Sequence, residues 1–172
     1  MSNVHIFVSF DLEHDADLYE LLLVQSQNTG SGFVVSGRSE RPTAANSASE
    51  KERRRIREAD QVIIICGEHT ESSVPVSVEL GIAQQEETPY FLLWGRRDLM
   101  CTKPVGAKPA EGMYSWTQQI LHDQIALNLR QSDKDAHAKT LRRVTRDGRK
   151  LPYPSVTRDE INADPATERT VR

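Results

Sequence analysis

The residues best suited to chemistry are polar groups placed where an α/β sheet would gather a ligand. Glu79 stands out, because it interrupts the apolar stretch Val74-Pro75-Val76-Ser77-Val78-Glu79-Leu80-Gly81-Ile82-Ala83. A carboxylate in such surroundings needs a compensating partner if it is buried. Before it come the buried-strand run Gln61–Cys66 and a polar loop, Gly67–Ser73, holding Glu68, His69 and Thr70. After it comes a second apolar run, Pro89–Trp94. Strand, loop, helix and strand in that order form a parallel crossover unit, whose ligands collect beyond the carboxyl ends of the strands. Phe10, Asp11 and Glu13 follow the first apolar run, and Arg38 follows the second. Together these positions offer a cation for phosphate, carboxylates and hydroxyls for ribose, and an aromatic face for a ring. That set suits a nucleotide. Each residue also has a plainer reading: Asp11 or Asp15 as a helix cap, Arg38 paired with Glu40, His69 exposed to solvent, Phe10 in the core, and Glu79 on an outward helix face.

The elements that must position these groups read clearly from hydrophobic patterning. Val4–Phe10 is a strand whose continuous apolar character places it inside a sheet. Asp15–Gln27 has Leu18, Leu21, Leu22 and Gln25 at helical spacing, with acids at its start where the helix dipole favours them. Phe33–Ser36 is a short strand near a sheet edge, and Gly37–Ser47 reads as a loop. Ser49 can cap a second helix filled by Lys51–Glu58, whose basic run reads as a solvated face with local Glu–Arg pairing. Val74–Glu86 is the third helix, and Arg96–Gly112 is irregular. Met113–Leu129 reads as one amphipathic helix with Trp116, Ile120, Ile125 and Leu129 on its apolar stripe. The expected fold is an α/β doubly wound parallel sheet of four to five strands, the fifth without a clear signal.

Composition divides the chain. Residues 131–172 hold 10 Lys/Arg and 7 Asp/Glu, whereas residues 1–130 hold 12 and 18. The expected organisation is one domain over 1–130 and a charged extension over 131–172, with a short helix at 136–144. An acidic domain disfavours nucleic acid as its main partner. No apolar run reaches the ~20 residues that cross a bilayer. The start of the chain carries no secretory pattern, and Cys66 and Cys101 lack both disulfide density and metal-ligand spacing. A cytoplasmic protein without membrane, metal or cofactor requirement is the expectation. The chain contains no Gly-rich phosphate loop, dinucleotide fingerprint or nucleophile-elbow serine, which disfavours ordinary kinases, dehydrogenases and serine hydrolases.

The segments VHIFVSF (4–10), ADQVIIICGEHTESS (59–73), VSVELGIAQQEETPYFLLWG (76–95) and CTKP (101–104) resemble the TIR-like family that includes the TIR-like component of Thoeris anti-phage defence. The likeness spans about residues 4–129. It implies a flavodoxin-like TIR fold and, in enzymatic members, cleavage of NAD at the nicotinamide–ribose bond. NAD would be substrate rather than cofactor. The family's functional glutamate lies in a Ser-x-Glu context on the helix after the third strand, which matches Ser77 and Glu79. Phe10 and Asp11 match the pocket-lining segment after the first strand, and Arg38 falls in a loop that varies within the family; with Ser77, and with His69 from the loop after the third strand, they make up the expected substrate-binding set. The resemblance further implies self-association and a cyclic ADP-ribose-type signal that reaches a separate effector. The alternative is a non-catalytic TIR-like module binding a protein or nucleotide. A receiver-like phosphoacceptor is disfavoured, since Cys66 stands where an acceptor aspartate belongs.

Overall fold

A computed structural model describes residues 3–41, 48–128 and 130. The charged segment from residue 131, with the helix expected at 136–144, lies outside the described residues, as do the side chains of Ser49 and Leu129. The elements are β1 (Val4–Ser9), α1 (Ala16–Gln27), β2 (Phe33–Arg38), α2 (Ala48–Glu58), β3 (Gln61–Cys66), α3 (Val74–Gln85), β4 (Tyr90–Trp94) and β5 (Met113–Ser115), followed by α4 at residues 118–128. All strand pairings are parallel, in the order β2-β1-β3-β4-β5. This is a flavodoxin-like α/β topology, with β2 at one edge as its weaker apolar pattern suggested.

Period-2 alternation divides the core between the two faces of the sheet. Ile6, Val8, Phe10, Ile63, Ile65 and Leu93 join Leu18, Tyr19 and Leu22 of α1 and Leu121 and Ile125 of α4. On the other face, Phe7, Val62, Ile64, Cys66 and Leu92 meet Ile56 of α2 and Val76, Leu80 and Ala83 of α3. β3 is buried along its whole length, as a strand covered on both faces must be.

Two segments differ from the sequence expectation. Met113–Ser115 pairs with Leu92–Trp94 as the fifth strand instead of opening the last helix. That helix starts only after Thr117, whose hydroxyl accepts the Ile120 N–H at 3.1 Å, a side-chain N-cap. A three-residue strand inside a stretch with helical spacing leaves no local signal of its own. Gly37 and Arg38 likewise belong to β2 rather than to a loop. The β1–β2 register slips between Ile6, which faces Val35, and Phe7, which faces Gly37, so Ser36 is an extra, bulged residue.

Helix α2 is held by ion pairs reaching other elements as well as its own turn. Arg54 pairs with Glu58 within the helix, whereas Arg53 reaches Glu86, and Lys51 and Arg55 both reach Glu40. Glu40 is therefore occupied by α2 rather than by Arg38. At the carboxyl ends of the strands, Arg96 after β4 pairs with Asp15 and Asp17 at the start of α1. Asp15 lies tight against Gly67, where an added Cβ would collide with both of its carboxyl oxygens. Gly67→Ala is therefore expected to lower stability by about 2 kcal/mol. Urea unfolding checks this, and an unchanged midpoint would show that Asp15 moves aside freely.

Candidate functional site

Glu79 lies one position before Leu80 and three after Val76, so helical spacing turns it inward with the α3 side chains that cover the sheet. It is only 1% exposed. Its Oε2 accepts two hydroxyl hydrogen bonds, from Ser9 Oγ at 2.5 Å and Ser39 Oγ at 2.6 Å. Its Oε1 is buried and meets no hydrogen-bond partner. Burial pushes the carboxyl pKa up from 4.5 to about 7; the two serine hydroxyls pull it down, and the charge of Glu52 on α2 pushes it further up. The result is a carboxyl group that changes charge near neutral pH, with one oxygen held and the other uncommitted.

Strand register explains why serines surround it. Ser9 continues the β1 alternation of Phe7, on the face covered by α2 and α3. The bulge at Ser36 aligns Arg38 with Val8, so the next residue, Ser39, falls beside Ser9; its N–H donates to the Val8 carbonyl at 3.0 Å. Without that extra residue, Arg38 would occupy the position facing Glu79. Ser39 Oγ also accepts the Phe10 N–H at 3.1 Å. A chain of donors thus runs from the Phe10 amide through Ser39 to the Glu79 carboxyl.

The remaining residues singled out from the sequence make other contacts. The Phe10 ring points to the opposite face of the sheet, buried and stacked on Tyr19 with centroids 4.8 Å apart. Its contribution to the Glu79 surroundings is its backbone amide. Arg38 is exposed, its guanidinium 5.1 Å from the centre of the Tyr19 ring on that same opposite face. Asp11 organises its own loop: Oδ1 accepts the Glu13 N–H at 2.9 Å, and Oδ2 lies 3.3 Å from His14 Nδ1. His69 is exposed and meets the His14 ring at 4.2 Å, closing the loop after β1 against the loop after β3. Ser77 donates to the Ser73 carbonyl and accepts the Val105 N–H, so its hydroxyl is engaged away from Glu79. Two residues along a helix is about 200° of rotation, which separates Ser77 from Glu79 by geometry alone.

Asp15, at this same end of the sheet, is as deeply buried as Glu79. Burial raises its pKa, while Arg96 opposes the shift. Its place at the start of α1 carries no side-chain cap bond, so its role is the ion pair rather than the cap. Sequence reasoning missed Ser9 and Ser39. The signal for Ser9 was available in the alternation of β1, whereas Ser39 depends on a bulge that no local pattern reveals. Among the described residues, no cluster of His, Cys, Asp and Glu could hold a metal ion, and no helix is long and apolar enough to cross a membrane. Compared with known protein families and with curated proteins, the sequence matches none of them.

Proposed function

We infer that this chain is a TIR-like NAD-cleaving enzyme, a glycohydrolase or ADP-ribosyl cyclase, with Glu79 as its catalytic residue. One observation carries the reading. A buried carboxyl group, titrating near pH 7 and with one oxygen uncommitted, sits on the helix after β3 near the carboxyl ends of parallel strands. The flavodoxin-like topology and the TIR-like segments of the sequence support it.

The chemistry asks little of general acid catalysis. The bond between ribose C1′ and the nicotinamide nitrogen breaks with its electron pair moving to nitrogen, so the cationic ring leaves as neutral nicotinamide. The ribose is left with oxocarbenium character, as in glycoside cleavage. An ionised Glu79 accepts hydrogen bonds from ribose hydroxyls through Oε1 and steadies the positive charge. Capture by water gives ADP-ribose and a proton. Capture by an adenine nitrogen or a hydroxyl of the same molecule gives a cyclic isomer, the kind of signal that would reach a downstream effector in anti-phage immunity. Self-association of the chain would complete the assembly.

The test is mass spectrometry of NAD incubated with the full chain, dilute and concentrated. Release of nicotinamide with ADP-ribose or its cyclic isomer is the expected result. Turnover should follow ionisation of Glu79, so kcat/KM is expected to rise with pH and level off above about 7. A flat profile between pH 5.5 and 8.5 would remove Glu79 from the rate. The second reading, a non-catalytic interaction module, draws on the outward α3 side chains Val74 and Val78, which are 70% and 45% exposed. It predicts no nicotinamide release in any state of assembly.

A further inference from the structure

We propose that Ser9 and Ser39 are positioning residues, a two-hydroxyl clamp that occupies Glu79 Oε2 and so leaves the buried Oε1 as the one carboxyl oxygen free to accept from the ribose. This role rests on the NAD-cleaving reading above and deepens it. Both hydroxyls converge on the same oxygen, at 2.5 and 2.6 Å, while the other oxygen has no partner. A carboxylate held this way has one free rotamer choice removed and one acceptor left open.

The direction of the Ser39 proton is also set. Ser39 Oγ already accepts the Phe10 N–H, so its own hydrogen is directed to Glu79, and the linked bonds polarise one another. All three clamp groups are buried: Ser9 and Ser39 lie under α3 together with Glu79. Ser9 ends β1 and Ser39 directly follows β2, where its N–H bond to the Val8 carbonyl ties it to β1 and fixes the spacing of the two hydroxyls. Among the described residues, the charged neighbour acting on Glu79 is Glu52 of α2, which favours the protonated form. The clamp opposes it by donating to the ionised form. Positioning and ionisation are therefore served by the same two bonds.

Alanine variants separate these effects from simple folding. Ser9→Ala and Ser39→Ala are each expected to lower the high-pH plateau of kcat for NAD about tenfold, the scale of one lost buried hydrogen bond. KM should stay within about threefold, because the substrate's other contacts remain. The rising limb should move up by about one pH unit. Ser39→Thr keeps a hydroxyl and is expected to recover most of the loss. A second readout needs no turnover: the Glu79 carboxyl followed by 13C NMR should titrate at higher pH in both alanine variants than in the unaltered chain. If the unaltered chain cleaves NAD and both alanine variants match it in plateau and limb, the clamp is refuted while the enzymatic reading stands. Unmoved carboxyl titrations refute it as well. If the unaltered chain releases no nicotinamide in any state of assembly, the enzymatic reading falls and takes this role with it.

Discussion

Glu79→Gln is expected to reduce nicotinamide release from NAD by about 100-fold or more, with the fold intact. The substitution keeps the size of the side chain and its place on the inward face of α3, beside Val76 and Leu80. The amide oxygen of glutamine can still accept the Ser9 and Ser39 hydroxyls in place of Oε2. What disappears is the negative charge, together with an acceptor at the Oε1 position, where glutamine presents an NH2 group. Both losses fall on the transition state, in which the ribose becomes cationic, more than on bound NAD. The decrease should therefore appear in kcat more than in KM. Mass spectrometry of the reaction, run beside the unaltered chain at equal concentration, measures it. Equal turnover by the two proteins would take Glu79 out of the chemistry.

The same substitution is expected to make the protein more stable at alkaline pH. Burial raises the Glu79 pKa from 4.5 to about 7, so between those values the folded chain keeps a proton that the unfolded chain has released. The stabilisation from this tighter proton binding is fully present below about pH 4.5 and is lost as pH rises through about 7. The size is about 3 kcal/mol across that window. Glutamine carries no such dependence. Its stability advantage over the unaltered chain should therefore widen by about 3 kcal/mol between pH 4.5 and pH 8, equivalent to roughly 10 °C in Tm.

Asp17 and Glu40 act in the opposite sense. Hydrogen bonds from Arg96 lower the pKa of Asp17, and those from Arg55 and Lys51 lower that of Glu40, so their stabilisation is lost as pH falls. Because they are common to both proteins, the difference between the two stability curves isolates Glu79. Parallel curves from pH 4.5 to 8 would show that the carboxyl group is not held in a low-polarity environment. A gain in stability coupled to a loss of turnover is the behaviour expected of a functional group kept in an unfavourable place.

Much of the architecture is legible because its causes are local. The β-branched run Val62–Ile65 needs both faces covered, which makes β3 an interior strand. Spacing along α3 allies Glu79 with Val76, Leu80 and Ala83, but the apolar residues run all round this helix, so the pattern alone left an outward face open and the structure turns it inward. The same geometry sends Ser77 to another side, a consequence that a Ser-x-Glu match on its own does not express. β5 was concealed because three residues are too few to carry a period, and only pairing with Leu92–Trp94 makes Met113–Ser115 a strand.

The amino-acid sequence by itself determined the order of the elements from β1 to β4, the parallel α/β class and the helix that carries Glu79. The elements follow from periodicity within a dozen residues each, and the class from their alternation. Only the tertiary structure decided that the carboxyl group faces inward and what meets it. One bulged residue, Ser36, shifts β2 against β1, so that Ser39 joins Ser9 at Glu79 while Arg38 turns to Tyr19 on the other face. Strand register is set between chain segments some 30 residues apart, and a shift of a single position exchanges the two faces of everything that follows.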